Sequence, residues 1–140
     1  MTTLEGIKVL VVDDEPFMRK TIKVVLRAVA HMVVTEAEDG DVALVIAERT
    51  RPDVVLCDIS MPRMGGLRFV KLLREHTEPA IRDIPVIILT GHAEEPTVIA
   101  ASHQRINGYL VKPVSPKQLD EQLRLVLATQ RVNQRIESPR

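Results

Sequence analysis

The sequence alternates short apolar runs with longer segments in which apolar residues recur at helical spacing. This alternation occurs five times in succession. Runs rich in Val, Ile and Leu, too short for a helix, are typical of strands that are buried on both faces. Parallel strands joined by right-handed helical crossovers provide that burial, because the helices cover both faces of the sheet. The pattern therefore predicts an α/β fold built on one five-stranded parallel sheet.

The predicted strands cover residues 7–12, 31–37, 54–57, 84–90 and 108–112. The predicted helices cover 16–29, 41–49, a segment that starts near Leu67 and ends before Pro79, 94–104, and a last segment that the Ser115-Pro116 pair caps. We expect the strand order 2-1-3-4-5 of a flavodoxin-like, doubly wound protein. Residues 1–128 are predicted to form one domain, and residues 129–140 a C-terminal helical extension or tail, with no output domain.

The composition excludes several classes of protein. The 140 residues suffice for one globular domain, and 19 basic residues balance 19 acidic ones. With 2% aromatic residues and no Trp, the chain lacks a platform for stacking bases, so we expect no direct contact with nucleic acid. The lone cysteine, Cys57, lies in an apolar run and is predicted to be a core residue. No membrane span and no secretory signal are evident, which favours a cytoplasmic protein without membrane contact.

Polar residues stand at the carboxyl ends of four predicted strands. Asp13 and Asp14 follow the first strand and Asp58 follows the third, while Thr90 ends the fourth and Lys112 the fifth. In the order 2-1-3-4-5 the first and third strands are neighbours, about 5 Å apart. The three carboxylates are therefore expected to converge at the edge of the sheet where open α/β proteins bind ligands.

Three converging carboxylates repel one another, and a divalent cation relieves that repulsion. Oxygen ligands in small number favour Mg²⁺ that retains several waters. Such an ion can bridge a carboxylate and a phosphoryl group, while Lys112 neutralises phosphoryl charge and the Thr90 hydroxyl donates to the same oxygens. The reaction that uses all of these groups is in-line phosphoryl transfer onto an aspartate.

Several motifs follow one another along nearly the whole chain. They are Val11-Val12-Asp13-Asp14-Glu15, Asp58 followed by Met61-Pro62-Arg63-Met64-Gly65-Gly66, Ile88-Leu89-Thr90, and Tyr109-Leu110-Val111-Lys112-Pro113. Each motif alone is common. In this order and spacing, over about residues 7–127, they resemble the receiver domain of bacterial two-component response regulators, in particular the stand-alone, chemotaxis-regulator type.

The resemblance implies a role for each matching residue. Asp58 would be the phosphoacceptor. Asp13 and Asp14 would form the acidic Mg²⁺ pair, with Asp58 and the Ser60 carbonyl as further ligands, while Lys112 contacts the phosphoryl group. Thr90 would be the switch hydroxyl and Tyr109 the aromatic that moves inward with it. The Lys112–Pro113 peptide bond would be cis.

The implied function is phosphorylation-dependent signalling. A sensor histidine kinase or a histidine phosphotransfer protein would phosphorylate Asp58, and the face formed by the fourth helix, fifth strand and fifth helix would then contact a downstream protein. The chain would catalyse its own phosphorylation and dephosphorylation and would otherwise not be an enzyme. We expect a monomer or a phosphorylation-linked homodimer.

Each of these residues also has a plain structural interpretation. In this interpretation Asp13 and Asp14 serve only as an N-cap pair for the first helix, and Asp58 only as a turn residue. Lys112 could be a solvated strand end and Thr90 a β-branched strand residue. Tyr109 could cover apolar surface on an edge strand without switching.

Other classes of function share some of these sequence features. A phosphatase of the haloacid dehalogenase type forms an aspartyl phosphate, but its nucleophile closes the first strand in an Asp-x-Asp pattern. A flavodoxin-like flavin protein needs a phosphate-binding loop where this chain has Asp13 and Asp14. Within the receiver class, the chain could instead be a phosphorelay intermediate, a phosphate sink, or a docking module that does not depend on phosphorylation.

Overall fold

The computed structural model describes residues 3–59, 65–91 and 106–137, with side chains as far as residue 130. The strands are β1 (Lys8–Val12), β2 (Val33–Ala37), β3 (Val54–Asp58), β4 (Val86–Thr90) and β5 (Gly108–Val111). The helices are α1 (Pro16–Val29), α2 (Gly40–Thr50), α3 (Gly66–Arg74), α4 (Pro79–Arg82) and α5 (Pro116–Glu137). Among the described residues, no helix combines the length and the apolar character that a membrane crossing requires.

The five strands form one parallel sheet in the order β2-β1-β3-β4-β5, as predicted. The registers place Val12 beside Cys57, Asp58 beside Leu89, and Thr90 beside Val111. Every residue of the two central strands β3 and β4 is buried. The carboxyl ends of β1, β3, β4 and β5 are therefore aligned, and the residues that follow these strands lie at the same edge of the sheet.

Two apolar layers cover the sheet, one on each face. Alternate residues of β1 point into different layers: Leu10 and Val12 into one, Val9 and Val11 into the other. The first layer is completed by α2, α3 and α4, and the second by α1 and α5. This division is the doubly wound arrangement that the alternation of apolar runs and amphipathic segments predicts.

Some element boundaries differ from the predicted ones. The second strand begins at Val33 instead of residue 31, and the fourth at Val86 instead of residue 84, because the ring of Pro85 leaves no N–H for the ladder. The structure adds the short helix α4, which the sequence did not predict. The predicted helix 94–104 lies outside the described residues.

Side chains cap the start of two helices, and the cap of the last helix was predicted. The Asp39 carboxylate accepts a hydrogen bond from the Val42 amide at 2.9 Å and caps α2. At the start of α5 the Ser115 hydroxyl accepts from the Gln118 amide, and the Gln118 side chain accepts from the Ser115 amide, both at 3.2 Å. This reciprocal pair is a capping box. The helix that it starts continues to residue 137, well past the apolar positions that predicted it.

A polar clamp at the opposite edge of the sheet holds the start of β5. The Arg74 guanidinium donates to the carbonyls of Arg82 and Ile84, each at 2.7 Å, and to the Asn107 side chain at 3.0 Å. The same Asn107 oxygen accepts from the Val86 amide at 2.9 Å. The clamp connects the end of α3 to the strands β4 and β5, so it helps to fix the position of β5 in the sheet.

Candidate functional site

The predicted catalytic and metal-binding residues that the structure describes lie at the carboxyl edge of the sheet. Asp13 directly follows β1, Asp58 is the last residue of β3, Thr90 is the last residue of β4, and Lys112 directly follows β5. Asp13, Asp58 and Thr90 are buried. Buried polar side chains are uncommon at such positions unless they have partners or a function.

Three carboxylates form a tight cluster at this edge. Among the residues described, Asp13, Asp14 and Asp58 each offer one oxygen, and these oxygens lie within 4.8 Å of one another. The Asp13 amide donates to the Ala37 carbonyl at 3.1 Å, and the Ile59 amide donates to the Leu89 carbonyl at 3.1 Å. The backbone ladder thus continues past the strand ends and fixes the bases of the acidic side chains.

Lys112 brings a positive charge to the cluster. Its Nζ lies 3.4 Å from Asp58 Oδ1 and 3.8 Å from Asp13 Oδ2. The Lys112 amide donates to the Thr90 carbonyl at 2.7 Å, and the Lys112–Pro113 bond is cis, as the resemblance implied. The side chain of Lys112 therefore contacts the cluster and is not simply a solvated strand end.

The two oxygens of Asp13 have different surroundings. Oδ1 accepts a hydrogen bond from the Glu15 amide at 2.9 Å. Oδ2 is fully buried and receives no hydrogen bond from the described residues, since Lys112 is within ion-pair range but too distant for one. Burial raises the pKa of Asp13 above its ordinary value, the Glu15 amide opposes this, and the charge of Asp58 raises the pKa further. A buried acceptor without a donor, among like charges, fits a hard divalent cation.

We expect Asp13→Asn to raise the free energy of unfolding of the metal-free protein at pH 7. A raised folded-state pKa means that the contribution of Asp13 to stability is fully present below the ordinary value of 3.8 and is lost as the pH rises through the folded pKa. The ionised carboxylate is therefore destabilising at pH 7. Asparagine removes the charge and keeps the acceptor for Glu15, so a gain of about 0.5 to 2 kcal/mol is expected.

Urea unfolding in EDTA measures this difference, with exposed Asp41→Asn as the control for loss of one acidic charge. Added Mg²⁺ should stabilise the wild-type protein and not the Asp13 variant, because a ligand that binds the folded state raises its stability. An Asp13→Asn protein that is less stable than wild type in EDTA would contradict the prediction.

The remaining predicted positions are distributed as follows. Tyr109 lies on the edge strand β5 with 45% of its side chain exposed. Ser60 lies outside the described residues. Helix α1 has Glu15 as its N-cap without a side-chain cap hydrogen bond, so Asp13 and Asp14 are not its N-cap pair. Cys57 is buried, as predicted. Its burial, and to a lesser extent the negative charge of Asp58, raises the pKa of the thiol, so the thiol stays protonated.

Residues 9–124 match the family model of the response regulator receiver domain. The chain belongs to this receiver domain family. Membership in this family excludes the two other classes of protein that share features of the sequence, the haloacid dehalogenase type of phosphatase and the flavodoxin-like flavin protein. Receiver domains are signalling proteins of two-component systems.

The receiver domain is similar to both short and long curated proteins. A chemotaxis protein CheY homolog of Campylobacter jejuni is 39% identical over 123 residues, which make up 87% of this chain and 93% of that protein. A probable transcriptional regulator ycf27 of Guillardia theta is 38% identical over 120 residues, and the chain spans only 45% of the length of that relative.

Solved structures give the same picture. A putative response regulator from Chloroflexus aurantiacus has a TM-score of 0.80 at 29% identity, covering 88% of this chain and 98% of that one. The chemotaxis protein CheY4 of Vibrio cholerae has a TM-score of 0.76 at 33% identity, covering 86% and 98%.

Three residues beside the receiver site, Arg19, Glu36 and Gly66, had no role assigned to them from the sequence. Arg19 on α1 donates to the Asp13 carbonyl at 2.7 Å and to Glu36 on β2 at 3.0 Å. Gly66 lies so close to the end of β3 that a Cβ added to it would stand 2.5 Å from the Asp58 carbonyl oxygen. A lone acidic residue in a β-rich segment could have indicated Glu36, but no local pattern distinguishes Arg19 from other cations of α1.

Proposed function

We propose that the chain is a receiver that accepts a phosphoryl group on Asp58 from a histidine kinase or a histidine phosphotransfer protein. The observation that supports this most directly is the position of Lys112, whose Nζ is 3.4 Å from Asp58 Oδ1. A cation that contacts the acceptor carboxylate is placed to contact a phosphoryl group attached there as well.

In the proposed reaction an Asp58 oxygen attacks the phosphorus of a phosphohistidine. A phosphorus–oxygen bond forms, the phosphorus–nitrogen bond breaks, and the imidazole leaves with the electron pair of that bond. Lys112 neutralises part of the charge on the transferred group, and Thr90 donates its hydroxyl to one of the phosphoryl oxygens. The product is an acyl phosphate, which water returns to the carboxylate.

Asp13, Asp14 and Asp58 are the described residues that would hold Mg²⁺, and the Ser60 carbonyl stays a predicted fourth ligand. When bound, Mg²⁺ supplies positive charge that offsets the repulsion between the carboxylates and the phosphoryl oxygens. Asp13 Oδ2 supports this assignment, because it is buried and accepts no hydrogen bond from the described residues, so a cation could satisfy it.

Phosphorylation would act on partners through a switch of Thr90 and Tyr109. A phosphoryl group adds about two negative charges and draws hydroxyl donors toward itself. Thr90 and Tyr109 lie on the neighbouring strands β4 and β5, and inward movement of Thr90 would open space for the half-exposed tyrosine. The surface around β5 would then bind a downstream protein. The cytoplasmic location and the single-domain organisation stay predictions from the sequence.

Intact mass spectrometry after incubation with Mg²⁺ and acetyl phosphate tests the proposal. We expect one added phosphoryl group in Mg²⁺ and none in EDTA. Because Tyr109 is the only tyrosine and the chain has no Trp, tyrosine emission reports the same event at the switch, and we expect it to change with the phosphorylated fraction. An adduct without an emission change would favour a relay or sink role, and no adduct in Mg²⁺ would contradict phosphorylation and favour a docking module.

A further inference from the structure

Arg19 links three elements beside the acidic cluster. Its Nη1 donates to the backbone carbonyl of Asp13 at 2.7 Å, and its Nε donates to Glu36 Oε1 at 3.0 Å. The Arg19 side chain is 16% exposed; its contact with the Asp13 carbonyl is partly buried, whereas its contact with Glu36 is open to solvent. Arg19 lies in the second turn of α1, Asp13 at the end of β1 and Glu36 on β2. One guanidinium thus connects the helix, the acidic loop and the edge strand.

Glu36 is held in place from two sides. Its second oxygen accepts from Lys23 Nζ at 3.0 Å, one helical turn beyond Arg19. The hydrogen bond from Lys23, and then that from Arg19, lowers the pKa of Glu36, which keeps the carboxylate charged at neutral pH. Glu36 is therefore a fixed anchor, and the planar fork of Arg19 is oriented by it toward the Asp13 carbonyl.

The Asp13 carbonyl belongs to the peptide group that joins Asp13 to Asp14. A peptide group is planar, so a donor that holds its oxygen also fixes the direction in which the chain leaves Asp13. That direction decides where the Asp14 carboxylate lies relative to those of Asp13 and Asp58, which must approach within a few ångströms for a shared cation.

We propose that Arg19 is a positioning residue that sets the spacing of the metal-binding carboxylates through the Asp13–Asp14 peptide group. The inference rests on the proposed function, because it assumes that the cluster binds Mg²⁺. In the part of the chain that the structure describes, Arg19 donates to the Asp13 carbonyl and to Glu36, and not to the carboxylate oxygens of the cluster. It acts as the outer contacts of metal sites do, by orienting groups that bind the ion.

The direction in which Mg²⁺ affinity changes when Arg19 is replaced distinguishes a positioning role from an effect of its charge. A guanidinium near the cluster repels a cation, so its removal should strengthen Mg²⁺ binding if charge alone matters. If Arg19 positions the carboxylates, Arg19→Met should weaken Mg²⁺ binding, by about tenfold. Lys23→Met is the matched control, because it removes the same charge from the same helix and from the same Glu36 without touching Asp13. Its Mg²⁺ affinity is expected to be unchanged or slightly tighter.

Two measurements test this on the full chain. Calorimetric titration with Mg²⁺ gives the affinity without any reaction. The Mg²⁺ dependence of phosphorylation by acetyl phosphate gives a midpoint and a maximum. Arg19→Met should raise the midpoint and keep the maximum, because Asp58 and Lys112 are intact. A purely structural role would instead lower the folded fraction and with it the maximum.

An Arg19→Met protein that binds Mg²⁺ as tightly as wild type, or more tightly, overturns the inference. If that variant does not fold, Arg19→Lys serves in its place: it keeps the positive charge and lacks the planar fork that holds Glu36 and the Asp13 carbonyl together, so we expect about threefold weaker Mg²⁺ binding, whereas unchanged binding again overturns the inference. A wild-type protein that binds no Mg²⁺ and takes no phosphoryl group overturns the proposed function, and this inference with it. The two failures are thereby distinguishable.

Discussion

Replacing Asp58 with asparagine is expected to abolish phosphorylation while the protein stays folded. The amide lacks the nucleophilic carboxylate oxygen that would attack the phosphorus, so no acyl phosphate can form. Asparagine has nearly the same size, and it removes one of the charges that raise the pKa of Asp13. We therefore expect a free energy of unfolding in EDTA equal to or above that of wild type, together with complete loss of the phosphoryl adduct in the intact mass.

The matched control is Asp41→Asn, which makes the same chemical change in the first turn of α2, where the side chain is exposed. This variant should be phosphorylated like the wild-type protein. A phosphoryl group on the Asp58→Asn protein would contradict the assignment of Asp58 as the phosphoacceptor and would indicate another acceptor residue.

Gly66→Ala is expected to be among the most destabilising single substitutions in the chain. The added Cβ would stand 2.5 Å from the Asp58 carbonyl oxygen and 3.0 Å from the Ile59 Cα. Both are backbone atoms at the end of a buried strand, so they cannot rotate away as a flexible side chain would. Helix α3 or the end of β3 must shift, and we expect a loss of about 2 to 3 kcal/mol in the free energy of unfolding.

Urea unfolding of Gly66→Ala beside Gly91→Ala measures this effect. Within the described residues, no atom lies within 4 Å of the Cβ that alanine would add at Gly91, and Gly91 has no positive φ, so its substitution should be neutral or slightly stabilising. The two variants make the same change in composition at positions that both lie near the site. Equal urea midpoints for the two variants would contradict the close contact between Gly66 and the end of β3. Because the shift in Gly66→Ala displaces Asp58, slower phosphorylation is expected as well.

Much of the fold could be predicted because burial leaves a local pattern. The apolar runs at β1, β3 and β4 are continuous, since those strands are covered on both faces, and each run is followed by a segment with helical spacing. The candidate site followed from the same pattern. Asp13, Asp58 and Lys112 each interrupt an apolar run at its carboxyl end, and parallel strands bring such ends to one edge.

Boundaries were less predictable because they depend on what a segment pairs with. The apolar pair Ile84-Pro85 continues the pattern of β4, yet the strand begins only at Val86, whose amide donates to the Asn107 side chain. That bond belongs to the clamp of Arg74, which is 33 residues from Asn107. Similarly, α4 forms in a stretch too short for a periodic pattern to be recognised.

The sequence by itself determined the fold class and the set of polar groups at the strand ends, because periodicity specifies both, and the strand order followed from the expected flavodoxin-like arrangement. Only the tertiary structure decided how those groups are held. Arg19 reaches the Asp13 carbonyl because β2 brings Glu36 beside α1 from 17 residues away, and Gly66 matters because α3 packs directly on the end of β3. Such contacts depend on distances between elements that are separate in the sequence, and no local pattern of residues records those distances.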